Sequence, residues 1–129
     1  MTSNSSDTFM AQAIELAEKS DHPLTKAATI IVSNGVILAT GLYTLLPSKI
    51  DIDCLSCAIA NVAAHGVPPE NPVVYTTRFP FSTPLYQAHL LGVTELFIQK
   101  HEWESYYKDE FRRASRLAKD LEIELTYVN

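Results

Sequence analysis

A chain of 129 residues, 47% hydrophobic and 19% charged, has the size and balance of one soluble domain with a core of its own. Its net charge of −5 speaks against non-specific binding to nucleic acid or to an acidic membrane surface. No apolar run approaches the ~20 residues of a membrane helix, and the start MTSNSSDTF has neither the basic nor the apolar region of a secretory signal. The two cysteines, Cys54 and Cys57, are too close in sequence to close a large stabilising loop. A cytoplasmic, single-domain protein over residues 1–129 is expected, with residues 1–6 as a flexible end and no internal repeat.

Ser6 or Asp7 is a suitable cap for a first helix to about Ser20, because Met10, Ala13, Ile14 and Ala17 recur at helical spacing. Asp21-His22-Pro23 stops it. ATIIVS and VILATG, joined by Asn34-Gly35, read as two antiparallel strands around a two-residue turn. From Leu42 to Asp53 the chain has no period and contains Pro47, so a loop is expected there, followed by a second helix from about Ser56 to Ala64 that stops at His65-Gly66. Pro72 opens a third strand, VVYTT. Thr83 as cap with Pro84 at the first helical position begins a third helix, ended by Gly92.

A fourth strand, ELFIQ, follows, and then Trp103, Tyr107, Phe111, Ala114, Ala118 and Leu121 mark one face of a long fourth helix. Its other faces carry Lys108, Arg112, Arg113, Arg116 and Lys119, interleaved with Glu102, Glu104, Asp109, Glu110 and Asp120 at spacings of ordinary surface ion pairs. A solvated face is favoured over a nucleic-acid stripe, and packing over base stacking for Trp103, Tyr106 and Tyr107. The last strand alternates Ile123, Leu125 and Tyr127 with Glu122, Glu124 and Thr126, the pattern of one buried face. Strands joined through a helix of this length lie parallel. The order α-β-β-α-β-α-β-α-β makes a three-layer α/β/α domain around a five-stranded mixed sheet.

Two segments within Cys54 to Leu91, DCLSCAIANVAAHG and VVYTTRFPFSTPLYQAHLLG, carry a resemblance over this order. They are similar to the halves of the zinc signature of the cytidine/deoxycytidylate deaminase family, H-x-E followed by P-C-x-x-C. Cys57-Ala58-Ile59-Ala60-Asn61 falls on the family's His-Ala-Glu-x-Asn, and Pro80-Phe81-Ser82-Thr83-Pro84 on its Pro-Cys-x-x-Cys. The resemblance covers about Phe9 to Tyr127 and implies that family's fold, with the parallel last pair of the deoxycytidylate and tRNA-adenosine branches. It implies that Cys57, Phe81 and Pro84 stand at the zinc-ligand positions and Ile59 at that of the proton-carrying Glu. Zinc in such a site lowers the pKa of a bound water to ~7, which Phe81 and Pro84 cannot support. The family's substrate Asn after Gly41 is absent too, since Leu42, Tyr43 and Thr44 follow. Tyr43, Asn61, Arg78 and Pro80 are the candidate lining of what remains of the pocket, and no cofactor is expected.

Three functions are compatible with these replacements. An inactive deaminase-like protein would assemble with itself or with an active paralogue. A binding module would accept a nucleoside or nucleotide in the remnant pocket. A zinc-independent enzyme would use Cys57 as nucleophile with His89 or Asp53 as base. Cys54-Leu55-Ser56-Cys57 at a helix start also has the form of a redox pair, and with His65 or His89 of half a rebuilt metal site. Two small buried residues are the commoner fate of such a pair. Asn61 serves either the pocket or the backbone of a neighbouring loop, the latter being favoured. Assembly is the leading expectation, because Ile59, Phe81 and Pro84 are apolar and fill rather than rebuild the site.

Overall fold

The computed structural model describes residues 2–66, 68–100 and 108–128. In chain order the elements are α1 (Thr2–Ala17), β1 (Ala28–Ser33), β2 (Val36–Leu42), β3 (Thr44–Leu45), β4 (Asp51–Ile52), α2 (Cys54–Ala64), β5 (Val73–Thr76), α3 (Ser82–Leu91), β6 (Glu95–Gln99), α4 (Lys108–Asp120) and β7 (Glu124–Val128). Five strands form one sheet in the order β2-β1-β5-β6-β7. β1 is antiparallel to both β2 and β5, whereas β5, β6 and β7 run parallel, so the sheet is mixed and its last crossover parallel as expected.

Alternation along the central strands builds two cores from one sheet. Ile31, Val74, Leu96 and Ile98 point to the side covered by α2, α3 and α4, where they meet Leu55, Ala58, Val62, Leu85, Ala88, Ala114 and Ala118. Ile30, Val32 and Tyr75 point to the other side and pack against Met10 and Ala13 of α1, with Phe97 and Phe9 closing that cluster. Three layers result. Asn34 and Gly35, at φ 52° and 76°, make the expected tight turn between β1 and β2.

Several boundaries differ from expectation. Neither Ser6 nor Asp7 caps α1, which already runs from Thr2, because no Gly or Pro interrupts Thr2–Ala17. The 42–53 stretch contains a small hairpin, β3 paired with β4 through Thr44↔Ile52 and Leu45↔Asp51. Two-residue strands carry no readable period, and Lys49 at φ 68° turns the chain between them. β7 lies at the sheet edge, so Leu125 is only half-buried and Tyr127 is 36% exposed despite the alternating sequence. The start of the fourth helix expected at Trp103 to Tyr107 lies outside the described residues. No helix among those described is long and apolar enough to cross a membrane.

Candidate functional site

α2 begins at Cys54, two residues before the expected Ser56, because Asp53 caps it: Asp53 Oδ1 accepts the Leu55 N–H at 2.8 Å. The helix then buries Leu55, Ala58 and Val62, an i, i+3, i+7 stripe, against the sheet. β2 crosses close to this helix start at Gly41. A Cβ there would meet backbone atoms of Cys54 and Ala58 and lie 2.8 Å from Cys57 Cβ. The glycine is therefore a packing requirement of the α2 start.

Both thiols are held in their protonated form. Burial, then the neighbouring Asp53 charge, pushes the Cys54 thiol up to about 12, and the same two causes raise that of Cys57. A helix N-terminus ordinarily favours thiolate, yet burial wins here. Cys54 faces Thr76 Oγ1 at 3.8 Å, and both cysteines are free.

α3 starts at Ser82 rather than after a Thr83 cap. Phe81 occupies the cap position and gives no side-chain hydrogen bond. Instead Ser82 N and Oγ each lie 3.4 Å from Oε1 of Glu110, brought in by α4, so a tertiary carboxylate takes the place of a local cap. Pro84 falls within this first turn, where a missing N–H breaks no intrahelical bond.

Between the two helix starts lies Arg78, 1% exposed. Its Cζ is 4.4 Å from the Phe81 ring centroid, 4.8 Å from that of Tyr43 and 5.5 Å from that of Phe79. Nη1 lies 3.6 Å from Oδ2 of Asp53, an ion pair longer than a hydrogen bond. Desolvation by burial is the largest influence on Asp53 and raises its pKa above 3.8, although the Leu55 N–H and Arg78 pull the other way. Arg78 is among the candidate pocket residues, but its burial is not marked locally, because its surroundings come from three segments.

Tyr43, Asp53, Phe81 and Pro84 also line one cleft, of about 410 Å³, together with Asp51, Ser56, Thr83 and Glu110. Each carboxylate has a basic partner behind it. Asp51 Oδ1 is 2.9 Å from His22 Nε2, and Glu110 Oε2 is 3.3 Å from Arg113 Nη1. His22 Nδ1 accepts the N–H groups of Leu24 and Thr25, which leaves the ring proton on Nε2 to donate to Asp51. His22 thus ties the end of α1 to the hairpin at the cleft mouth, a role beyond the helix stop read from sequence.

The remaining candidates are dispersed. Pro80 is buried. Asn61 is exposed, and its amide donates to the Thr40 carbonyl of β2 at 2.7 Å, so it ties α2 to the sheet. Ile59 packs against the main core and borders a groove between α2 and α3. His65 caps the far end of α2, ~12 Å along the axis from Cys57, and His89 is exposed beside Tyr86, their rings 6.0 Å apart.

The donor set does not fit a zinc ion. At the three positions that the resemblance aligns with zinc ligands, Cys57 has a thiol with a raised pKa, Phe81 a phenyl ring over a guanidinium, and Pro84 is buried. Among the described residues no three His, Cys, Asp or Glu side chains converge to hold a metal.

No family profile matches the sequence, and no curated protein does. Solved structures match it over nearly its whole length. The dCMP deaminase of cyanophage S-TIM5 aligns at a TM-score of 0.78, covering 95% of this chain and 96% of that one at 17% identity. A diaminohydroxyphosphoribosylaminopyrimidine deaminase/reductase from Thermotoga maritima aligns at 0.81 and 18% identity, covering 98% of this chain and 37% of that one. Acinetobacter baumannii RibD aligns at 0.75 and 15% identity, over 96% of this chain and 35% of that one. At these identities the likeness is one of fold. With its mixed sheet, parallel last pair and two helix starts facing one cleft, this chain has the cytidine/deoxycytidylate deaminase-like fold.

Proposed function

We propose that this protein keeps the deaminase fold without deamination and acts by assembly, with copies of itself or with an active relative. The observation that carries the proposal is the packing at the former ligand positions, where Phe81 lies on the Arg78 guanidinium and Pro84 is buried. A bound metal ion needs several converging donors, and a proton carrier needs a titratable group where Ile59 stands. The test is zinc content by mass spectrometry and turnover of dCMP, cytidine and a tRNA adenosine. Expected is sub-stoichiometric zinc and no product; stoichiometric zinc or turnover of any of the three overturns the proposal.

The cleft of about 410 Å³ favours a second use. It is within the size range of small-molecule sites, and its lining combines the aromatic Tyr43 and Phe81 with the hydroxyls of Ser56 and Thr83. A nucleoside or nucleotide held there stabilises the folded state by ~1.4 kcal/mol at ten times its Kd, or roughly 5 °C of melting temperature for a domain of this size. A flat melting response to a nucleoside and nucleotide panel at millimolar concentration removes this use.

A further inference from the structure

The cleft between the starts of α2 and α3 is lined by three carboxylates at graded depth. The side chain of Asp53 is 10% exposed, that of Glu110 28% and that of Asp51 52%. Oδ2 of Asp53 is buried and, among the described residues, has no hydrogen-bond partner, since the Arg78 contact at 3.6 Å is longer than a hydrogen bond. A buried acceptor without a donor is costly, and this one belongs to the cleft wall. An anion finds its usual places taken. A helix start attracts a negative group, but Asp53 already sits at the start of α2 and Glu110 at that of α3. Arg78 is 1% exposed, lies against Phe81 and is paired with Asp53. The basic groups behind the other two carboxylates offset them little. His22 keeps Nδ1 as acceptor for two N–H groups and so carries one ring proton, and Arg113 is mostly in water.

We infer that this cleft binds a small organic cation with donors at both ends, a guanidinium or ammonium pair on a short carbon stem, with one end at Asp53 and the other at Glu110. The inference rests on the cleft being open to a small molecule, as in the second use proposed above, and selects a cation over a nucleotide for it. A single metal ion does not suit the site, because among the described residues no three Asp, Glu, His or Cys side chains converge to hold one. Carboxylates spread along a cleft match donors spread along a stem. Tyr43, Phe81 and Pro84 give the stem an apolar wall, and the net charge of −5 attracts a cation from solution.

Isothermal titration calorimetry of the full chain with agmatine, a guanidinium and an ammonium joined by a short carbon stem, tests this. Expected is one agmatine per chain with a Kd of about 1 mM or below at low salt, and dCMP bound at least about tenfold more weakly. Asp53→Asn, which keeps a cap for α2, and Glu110→Gln, which keeps an acceptor for Ser82, are each expected to raise the agmatine Kd at least about fivefold, with melting curves that show both variants folded. Glu15→Gln removes the same charge from an exposed position of α1, on the other side of the sheet, and is expected to leave the Kd unchanged. Cytidine or dCMP bound more tightly than agmatine overturns the inference and leaves the cleft to a nucleoside or nucleotide. No binding of agmatine, cytidine or dCMP overturns the inference and the second use together. Agmatine binding indifferent to both Asp53→Asn and Glu110→Gln, or weakened as much by Glu15→Gln, overturns the inference as well, since the cation then sits elsewhere or answers to net charge alone.

Discussion

At the scale of single residues, the buried Arg78 and Asp53 decide the character of the site. Replacing one member of a buried ion pair leaves the other charge uncompensated and costs about 3 kcal/mol or more. Arg78→Met is expected to lower stability by about 3 kcal/mol, the low end, because the 3.6 Å pair is not hydrogen-bonded and Asp53 escapes by taking a proton. Adding Asp53→Asn, which keeps a cap for α2, is expected to recover part of the loss in urea denaturation; a strictly additive loss removes the coupling. Asp53 in the folded state holds its proton above pH 3.8, so folding binds a proton as pH falls through the raised value. Its contribution therefore rises as pH falls through the raised value toward the unfolded pKa and is flat below that. Asp53→Asn is expected to abolish that rise in stability-versus-pH curves, and an unchanged slope assigns it to other groups.

The cysteines give a second residue-scale prediction. A thiol at about 12 is thiolate in roughly one molecule in 10⁵ at pH 7, so Cys54 is expected to be inert to iodoacetamide in the native protein and reactive in denaturant. Cys57, half-buried with a raised pKa, is expected to react more slowly than a free cysteine. Rapid native alkylation of Cys57 would favour the alternative of a zinc-independent enzyme with Cys57 as nucleophile. The C-x-x-C spacing is visible in sequence, but whether burial or the helix start governs its thiols depends on what packs around it. Arg78 is harder still: the resemblance places it near the pocket, and nothing local distinguishes it from a solvated arginine, since Tyr43, Asp53 and Phe81 reach it from separate segments.

At the scale of elements, the α2 start is the joint on which the site depends. Gly41 lets β2 pass against the backbone of Cys54 and Ala58, and backbone atoms within a packed helix start cannot step aside as a flexible side chain would. Gly41→Ala is expected to cost ~3 kcal/mol, the upper part of the usual overpacking range, and to loosen Asp53 and Tyr43 with it. Thermal melting checks the cost, and a loss under ~1 kcal/mol would mean that β2 shifts freely. The sequence carries a signal for the true start that a search for Ser or Thr caps overlooks: Asp53 directly precedes the Leu55, Ala58, Val62 stripe. For α3 there is no such signal, because Glu110 supplies the carboxylate from 28 residues away. The long strands and the Asn34-Gly35 turn were readable for the opposite reason, their periodicity and φ preference being local.

At the scale of the whole molecule, the charge distribution separates assembly through α2 and α3, which contain no Asp, Glu, Lys or Arg, from contact through the charged α4. A chain of this length has a radius of gyration of ~14 Å, so paired copies have centres ~30 Å apart. Two net charges of −5 at that distance repel by roughly 3 kcal/mol in water. The Debye length of ~30 Å at 0.01 M salt leaves about a third of this, and ~8 Å at 0.15 M leaves almost none. Dimerisation through an uncharged face gains nothing from interfacial ion pairs, so only the long-range repulsion responds to salt. The dimer Kd is therefore expected to fall, by roughly fivefold to tenfold, between 0.01 and 0.15 M salt. Contact through the Arg112, Arg113 and Arg116 stripe of α4 with an acidic surface behaves in the opposite way, since salt screens the attraction that makes it. Sedimentation at the two salt concentrations distinguishes the faces without altering any residue, and a Kd that rises with salt places the contact on α4.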